Sequence, residues 1–410
     1  MNKFFLFGLL CSATVLSLAQ PPVITSWGIN SSGQTGYGGI LANCQSVQYD
    51  TNNVYISCTC IPAYSIGPWT GDPNVPSNQN FVYTITRKPV QNTLTPVGVG
   101  LGHIGVLKNG VSIFNSQDAN SYNNLGYWHQ NAFYFEGSSF DACEGHPAPG
   151  GEYHNHTNPK CLYNDLDSLQ HSPIIAYAFD GFPVYGCYGY ANTTGGGGIK
   201  RMNSSYQKRT SMVNRDTLPN GTVLSSADYG PPVSSSYPLG DYVEDYRYVA
   251  GSGDLDDHNG RFCITPDYPT GIYAYFTTLD ASLQPAYPYM IGLSYYGVVQ
   301  SGNTGPGSGH NTIPSGTVTY FPSSVATFQN NLKLEVFPNP GNGIFNVSAF
   351  GENDLEFRIT NSIGMELMVL KTTESTLHAV INLQNYPCDV YYLHLGSLKG
   401  QLVRKLVKIE

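Results

Sequence analysis

Short runs in which apolar and polar residues alternate recur through most of the chain. The clearest ones are NVYISCTC (53–60), NFVYTITR (80–87), NAFYFEG (131–137), GIYAYFTTL (271–279) and GTVTYF (316–321). Alternation with a period of two predicts β-strands that bury one face. No long segment shows the period of an amphipathic helix, so the pattern predicts a mostly β protein.

Turn-forming dipeptides lie between several apolar runs. Asn109-Gly110 lies between HIGVL and VSIFN, Asp180-Gly181 lies within SPIIAYAFDGFPVYG, and Asn259-Gly260 follows DLDDH. Two-residue turns of this kind place both central residues at positive φ, which suits right-twisted antiparallel strands. The chain is therefore predicted to form a large antiparallel β domain with long loops.

A domain boundary is predicted near Asn330. Before it, the stretch SGNTGPGSGHNTIPSG (301–316) is rich in Gly, Ser and Pro, and is interpreted as either a linker or an ordered functional loop. After it, residues 331–410 contain short alternating runs separated by Pro, Gly and Asn. This pattern predicts a small C-terminal β-sandwich, near the lower size limit for independent folding, after a domain that spans residues 20–330.

Composition narrows the classes of function. Charged residues make up only 11% of a chain that contains 31 Tyr, 45 Gly and 27 Pro, as is typical of turn-rich β proteins. The net charge is −9 with only 19 Lys and Arg, which argues against nucleic acid or an anionic membrane surface as a partner. One local basic run, residues 199–215, is interpreted as a solvated loop, with an anion or glycan contact as the alternative.

The N-terminus has the features of a secretory signal peptide over residues 1–19. Lys3 precedes an apolar run that ends at Leu18, and Ser17 and Ala19 supply the small residues before the predicted cleavage. No later run reaches the roughly 18 apolar residues of a membrane helix. The protein is therefore expected to be exported without a membrane span.

Export makes disulfides the expected state of the eight cysteines that follow the leader. Cys143 and Cys161 flank a histidine-rich stretch, and a disulfide between them would stabilise that loop by about 3 kcal/mol. Cys58 and Cys60 share one strand face, so at most one of them is expected to pair easily with Cys44.

The last segment resembles the C-terminal sorting domain of the type IX secretion system. The stretches that carry the resemblance are VFPNPGNG (336–343), ITNSIGMEL (359–367), INLQNYPCDVYYLHL (381–395) and the basic end of the chain. The usual Gly-Val-Tyr step reads Asp389-Val390-Tyr391 here. The resemblance implies recognition by the type IX machinery of a Gram-negative outer membrane, followed by release or by attachment at the cell surface.

The central region resembles the YHYH-domain family, named for its Tyr-His-Tyr-His motifs. The matching stretches are GHPAPGGEYHNH (145–156), HSPIIAYAFDGFPVYG (171–186), GDLDDHNGRF (253–262) and GIYAYF (271–276). Asn155 replaces the second tyrosine of the first motif, and the second motif has lost both histidines. The resemblance implies a fold family without an established activity, and this chain would hold half of any four-histidine site.

His154 and His156 are the first candidates for chemistry. Residues i and i+2 of a strand face the same side, so both imidazoles are expected on one face together with Glu152. Neutral imidazoles suit zinc or copper, which need three or four ligands, and His146 or His171 is predicted to complete the shell with or without Glu152. The alternatives are a hydrogen-bonded histidine pair that braces a Tyr-rich core, or acid–base catalysis without metal.

The turn GDLDDHNGRF offers a second candidate cation site. Asp254, Asp256 and His258 alternate in it, and a set rich in oxygen ligands is typical of calcium loops. The spacing differs from that of an EF-hand. The alternative is a turn whose carboxylates accept hydrogen bonds from backbone amides.

The sequence thus predicts an exported β protein that binds a divalent metal through the His154–His156 pair and acts on an extracellular substrate or ligand. Motifs for a serine nucleophile, a phosphate loop or His-Glu-x-x-His are absent from the sequence. If the metal is catalytic, hydrolysis by an activated water is the simplest activity. The alternative is a cell-surface module that binds glycans or proteins, in which the histidines are structural.

Overall fold

The computed structural model describes residues 20–322, 333–350, 355–361, 366–374, 376–397 and 400–409. The chain divides into two compact units between Tyr320 and Phe321. Strands dominate both units, which confirms the mostly β prediction. The predicted leader, residues 1–19, lies outside the described residues.

The first unit is built from many short strands. In chain order they are β1 (Cys44–Tyr49), β2 (Asn53–Cys58), β3 (Phe81–Thr86), β4 (His103–Leu107), β5 (Ser112–Phe114), β6 (Gln117–Ser121), β7 (His129–Asn131), β8 (Gly145–Pro147), β9 (Tyr153–Asn155), β10 (Ile174–Ala178), β11 (Pro183–Tyr185), β12 (Tyr188–Tyr190), β13 (Ile199–Arg201), β14 (Tyr206–Lys208), β15 (Tyr246–Tyr248), β16 (Gly260–Cys263), β17 (Ile272–Phe276) and β18 (Val318–Thr319). Its helical segments are single turns, namely α1 (Pro22–Thr25), α2 (Ala132–Phe135) and the 3₁₀ turns Tyr37–Gly39, Tyr122–Asn124, Gly137–Ser139 and Val243–Asp245.

The main sheet of this unit has the strand order β16-β17-β11-β10-β4-β5-β9-β8. Neighbouring strands are antiparallel except in the pairs β17–β11 and β5–β9, which are parallel. The pairings therefore follow the same order from either edge inward: antiparallel, parallel, antiparallel. Two similar four-stranded halves meet at the antiparallel pair β10–β4.

The parallel pairs give the alignment of the two halves. Asn155 of β9 lies opposite Ile113, and Tyr275 of β17 lies opposite Val184. Ile113 and Val184 each stand third after the glycine of the preceding hairpin turn, so Asn155 and Tyr275 are equivalent. The YHNH motif of β9 therefore corresponds to the YAYF motif of β17, in which alanine and phenylalanine replace the two histidines.

The three predicted turns exist, but each is a three-residue loop in which one residue has positive φ: Gly110 (φ 83°), Gly181 (φ 88°) and Asn259 (φ 65°). In the first, Leu107 N–H donates to Val111 O at 2.8 Å, and Gly110 N–H donates back to Leu107 O at 2.7 Å. This is a type I turn followed by a left-handed residue. The prediction of two-residue turns was wrong, because a type I turn reverses the chain here and only the residue after it needs positive φ.

The run NAFYFEG was wrongly predicted to be a strand. Only its first residue, Asn131, belongs to a strand, and the next four form α2. Asn131 Oδ1 accepts a hydrogen bond from Phe133 N–H at 3.2 Å, which caps the first turn of the helix. This local cap outweighs the alternating pattern.

A second, antiparallel sheet with the order β18-β1-β2-β3 shares one apolar core with the main sheet. The two-stranded pairs β6–β7, β12–β13 and β14–β15 lie among the long loops. The predicted solvated run 199–215 contributes to β13 and β14, and its last residue, Arg215, is fully buried. The interpretation as a solvated loop is wrong for Arg215, because Asp245 binds it through two hydrogen bonds of 2.8 Å each.

The second unit consists of two antiparallel sheets. Its strands are β19 (Lys333–Phe337), β20 (Ile344–Phe350), β21 (Leu355–Thr360), β22 (Glu366–Thr372), β23 (Thr376–Asn382), β24 (Val390–Ser397) and β25 (Gly400–Val407). They form the sheets β19-β20-β23 and β22-β21-β24-β25. Phe345, Phe357 and Leu393 belong to the core between them, as expected of a small sandwich.

Candidate metal centre

Strand β9 directs the side chains of the YHNH motif to two faces. Tyr153 and Asn155 are fully buried on one of them. Tyr153 Oη donates to Asp141 Oδ2 at 3.0 Å, and Asn155 Nδ2 donates to backbone carbonyl groups of the loop before β8. These contacts fix β9, so His154 and His156 are presented on the opposite face.

Backbone carbonyl groups fix the Nδ1 atoms of both imidazoles. His154 Nδ1 lies 3.1 Å from Glu152 O, and His156 Nδ1 lies 2.5 Å from Asn115 O. A carbonyl oxygen only accepts hydrogen bonds, so Nδ1 carries a proton in both rings, and Nε2 has a lone pair when the ring is neutral. Phe114 stacks on His154 with ring centroids 3.8 Å apart, which holds that ring in place.

His146 reaches the same place from β8, directly opposite His154 in the register. Its Nδ1 atom lies 2.8 Å from Ser139 Oγ, and that hydroxyl donates to Glu136 O at 2.7 Å. Ser139 therefore accepts the Nδ1–H of His146, so Nε2 has a lone pair whenever this ring is neutral. His146 Nε2 is buried without a hydrogen-bond partner.

Helix α2 supplies a carboxylate to these imidazoles. Glu136 is the C-terminal cap of α2, and its Oε2 atom lies 3.0 Å from His146 Nε2 and 3.5 Å from His156 Nε2. One potential ligand atom from each of four residues lies within 4.8 Å of the others, in a group formed by Glu136, His146, His154 and His156. We call this group the His₃Glu cluster.

The electrostatics of the cluster keep His154 neutral. Burial lowers the pKa of His154 well below its usual value, and the neighbouring His156 and His146 lower it further. His154 Nε2 and His156 Nε2 lie 3.0 Å apart. When both rings are neutral, no proton lies between these two nitrogen atoms, and their lone pairs face each other.

Glu136 provides the negative charge of the cluster. Burial raises its pKa, but hydrogen bonds and positive charge from His146 and His156 in their protonated forms outweigh burial, and the pKa lies well below its usual range. The Glu136 side chain is 24% exposed, compared with 8% for His146 and 4% for His156. The carboxylate is therefore the member of the cluster with the best access to solvent.

The His₃Glu cluster lies in the wall of a cleft of about 490 Å³. The cleft is also lined by the carboxyl groups of Asp72, Asp118 and Glu152, and by apolar residues that include Leu101, Pro147 and Pro306. Burial raises the pKa of Asp118, and the charge of Glu136 raises it further. A cleft of this size suits a small molecule or one part of a larger ligand.

The predicted disulfide between Cys143 and Cys161 is confirmed. Its Cα atoms lie 5.1 Å apart, and it closes a loop with a sequence separation of 18. This loop contains β8 and β9, which carry the three imidazoles. The disulfide therefore restrains the segment that presents the ligands.

Glu152 lines the cleft but interacts with a different histidine. Its Oε1 atom lies 2.9 Å from His103 Nδ1, and His103 Nε2 lies 2.8 Å from Ser308 Oγ. The sequence places Glu152 on the face of the two histidines, whereas the structure directs its carboxylate to His103. Ser308 belongs to the Gly/Ser/Pro stretch, which therefore forms an ordered loop beside the cleft.

The structure does not bring His171 to the cluster. Its ring contacts Tyr185 and Phe276, with centroid distances of 5.0 Å and 6.1 Å. Phe276 is the counterpart of His156 in the second half of the main sheet. His171 therefore lies beside the equivalent position of the half that has lost its histidines.

The structure also does not assemble Asp254, Asp256 and His258 into one site. Asp254 Oδ1 pairs with Lys200 Nζ at 2.7 Å, and Asp256 Oδ1 accepts from Tyr273 Oη at 2.8 Å. Asp256 Oδ1 also accepts hydrogen bonds from two backbone amides of its turn, and His258 Nδ1 lies 3.0 Å from a backbone carbonyl oxygen. The arrangement agrees with the alternative, a turn whose carboxylates bind backbone amides.

Sequence reasoning missed Glu136 and Asp118. Glu136 lies outside the histidine-rich stretch, in a run whose alternation predicted a strand. The signal that could have found it is Asn131, since asparagine before a helix-compatible run is a common N-cap. No local signal points to Asp118, because the fold alone brings β6 to the cleft.

The first unit thus combines a β sheet of two similar halves with a cleft lined by histidines and carboxylates. The family model described as YHYH protein matches residues 82–288, half of the chain. The chain belongs to the YHYH protein family. A search among curated proteins found no match.

The second unit has its own match. The model described as a secretion system C-terminal sorting domain matches residues 335–410 and confirms the resemblance of the last segment to such a domain. This domain directs the chain to the type IX machinery and onward to the cell surface or the medium. Within the described ranges, no helix has the length and apolar content needed to cross a bilayer.

Proposed function

We propose that the first unit binds one divalent metal ion of the zinc or copper class through the His₃Glu cluster. The observation that carries the proposal is the convergence of three imidazole nitrogens and one carboxylate oxygen within 4.8 Å of one another. Imidazole nitrogen suits zinc and copper, whereas calcium takes shells of oxygen ligands. The donor set therefore favours zinc or copper over calcium.

The contacts around the cluster support the same conclusion. Histidines that bind metals commonly donate their other N–H to a carbonyl or carboxylate, which orients the ring and increases its basicity. His154 and His156 donate to carbonyl groups, and Asp72 Oδ2 lies 3.5 Å from His146 Nδ1. In their neutral forms His154 and His156 present their Nε2 lone pairs to each other at 3.0 Å, an arrangement that a bound cation stabilises.

We further propose that the cleft carries out hydrolysis. A cation bound there would act as a Lewis acid toward a carbonyl or phosphoryl oxygen and lower the pKa of water. Glu136 is the most solvent-accessible of the four ligands and lines the same cleft. Asp118 lies in the same cleft, and its raised pKa suits a group that holds or releases a proton beside the reacting atoms.

Elemental analysis of the purified full chain tests the metal site. After loading with zinc or copper and dialysis without chelator, about one equivalent per chain is expected. The double variant His154→Ala with His156→Ala should lose the metal. His171→Ala is the matched control and should keep it, because His171 lies outside the cluster. A folded wild-type chain that retains neither metal would contradict the proposal.

Turnover is tested separately, with the loaded chain and ester, peptide, phosphate and glycan substrates. Asp118→Asn should retain the metal and lower the rate by about 10²- to 10⁴-fold, the usual contribution of a general acid or base. Metal retention without turnover of any substrate class would contradict hydrolysis. That result would favour the alternative, a metal-stabilised surface module that binds glycans or proteins.

A further inference from the structure

A pair of cysteines lies beneath the hairpin turn that contains Gly110. Cys44 in β1 and Cys58 in β2 are directly opposite each other in the antiparallel register. The two residues are 0% and 1% exposed, and both are free thiols in the structure. Neither residue lines the cleft, so the proposed function leaves this pair without a role.

The backbone groups of Cys44 bond residues outside β2, so Cys44 and Cys58 face each other without exchanging a backbone hydrogen bond. Cys44 N–H donates to Gly28 O at 3.2 Å, and Cys44 O accepts from Asn30 N–H at 2.8 Å, so both groups point away from β2. In antiparallel sheets such pairs have the closer Cα atoms, about 4.5 Å apart. Disulfides form at Cα separations of about 4.4–6.8 Å, so the backbone already permits the bond.

The two sulfur atoms face the same small space. A Cβ atom placed on Gly110 would lie 3.1 Å from Cys58 Sγ and 3.5 Å from Cys44 Sγ, so the two sulfur atoms are no further apart than the sum of these distances. Such a Cβ atom would also lie only 2.4 Å from Cys58 Cβ. Glycine is therefore required at this turn both by its φ of 83° and by the cysteine pair below it.

We propose that Cys44 and Cys58 form a second disulfide in the exported protein. The thiolate of one cysteine attacks a small-molecule or protein disulfide, which releases one carrier thiol and leaves a mixed disulfide. The other cysteine then displaces the second carrier thiol. Two thiols of the chain are oxidised, and one carrier disulfide is reduced to two thiols. The sorting domain supplies the context, because export leads to oxidising surroundings where disulfides persist.

Burial determines when this reaction takes place. Burial raises the pKa of both thiols, so the attacking thiolate is scarce once the sheet has formed. The bond therefore forms while the chain folds and is shielded from reductants afterwards. The disulfide would anchor the end of β2 close to Cys60, whose thiol donates to Tyr153 O of β9 at 3.0 Å. It would thus brace the sheet beneath the strand that carries His154.

The test is a thiol map of the full chain after folding in a glutathione redox buffer. The protein is denatured without reductant in the presence of an alkylating agent, digested, and analysed by mass spectrometry. The peptides of Cys44 and Cys58 are expected as one linked species that separates only after reduction. Alkylation of both cysteines, or a link from either one to another cysteine, would overturn the proposal.

Cys60 provides the matched control because it is as buried as Cys58 and lies only two residues after it. Cys60 is expected to be alkylated in the wild-type map, and the variant Cys60→Ser is expected to keep the Cys44–Cys58 link. The variant Cys44→Ser should make Cys58 fully alkylatable. A Cys58 that stays blocked in Cys44→Ser would show a different partner and refute the pairing.

Discussion

His154 Nε2 and His156 Nε2 lie 3.0 Å apart, although both rings carry their proton on the other nitrogen. The carbonyl groups of Glu152 and Asn115 impose this tautomer, because they can only accept. When both rings are neutral their lone pairs face each other, which is unfavourable in a buried place unless a proton or a metal cation lies between them. This relationship is the physical basis of the proposed metal site.

Removal of the charge of Glu136 should weaken metal binding. Glu136→Gln preserves the size of the side chain, but the amide is a poorer ligand and no longer offsets the cation's charge. We expect the Kd for zinc or copper to rise at least about tenfold, as measured by competition with a chromophoric chelator. The matched control is Glu244→Gln, since Glu244 Oε1 lies 2.7 Å from His129 Nδ1 outside the cleft. Equal weakening in both variants would contradict a ligand role for Glu136.

Loss of the Cys143–Cys161 disulfide should affect stability and metal binding together. Serine at both positions releases a loop with a sequence separation of 18, which should lower the free energy of unfolding by about 3 kcal/mol. Urea unfolding measures this change. Metal affinity should fall as well, because the loop carries all three imidazoles. Unchanged affinity would show that β8 and β9 are held without the disulfide.

The buried Arg215–Asp245 pair should be essential for the stability of the first unit. Both side chains are fully buried, and Arg215 also donates to the carbonyl groups of Pro231 and Pro238. Arg215→Met leaves the Asp245 carboxylate buried without its partner, which should cost about 3–5 kcal/mol in urea unfolding. The exposed Arg247→Met should change stability by less than about 0.5 kcal/mol. Similar effects of the two substitutions would refute the role given to the pair.

Asp180 should make the folded protein less stable as the pH rises. Burial raises its pKa to about 6, above the value of about 3.9 expected in the unfolded chain, although Tyr275 Oη and Gly297 N–H both donate to Oδ2. The folded state therefore holds this proton more tightly. Its contribution is complete below about pH 4 and is lost as the pH rises through 6, a change of about 3 kcal/mol.

The variant Asp180→Asn isolates this contribution. Unfolding free energies measured between pH 4 and pH 7 should fall less steeply for the variant than for the wild type, by about 3 kcal/mol over the range. The absolute stability of the variant is not the readout, because the amide also changes the hydrogen bonds with Tyr275 and Gly297. Parallel pH profiles would contradict a raised pKa for Asp180.

Local signals in the sequence predicted part of the candidate site. The spacing of His154 and His156 determines their common face, and the positions of Cys143 and Cys161 around them indicate the closed loop. Both signals depend on nearby residues only. The β class was likewise predictable from alternation where a strand buries one face, as β3 does with alternating buried and half-buried residues.

The remaining features depend on contacts that the sequence does not display. Glu136 joins the cluster because the Asn131 cap converts an alternating run into a helix. His171 lies outside the cluster because it belongs to the second half of a repeated sheet, beside Phe276. The two halves can be aligned only through the register of their paired strands, which the sequence does not show. The sequence therefore gives no reason to prefer His146 over His171 as a ligand.

The most direct measurement is anomalous diffraction at the metal absorption edge from crystals of the chain loaded with zinc or copper. A single strong peak is expected about 2.0–2.2 Å from the Nε2 atoms of His146, His154 and His156 and from an Oε atom of Glu136. No anomalous peak at the cluster in loaded crystals, or an ion bound elsewhere while the two Nε2 atoms stay in mutual contact, would contradict the proposed site.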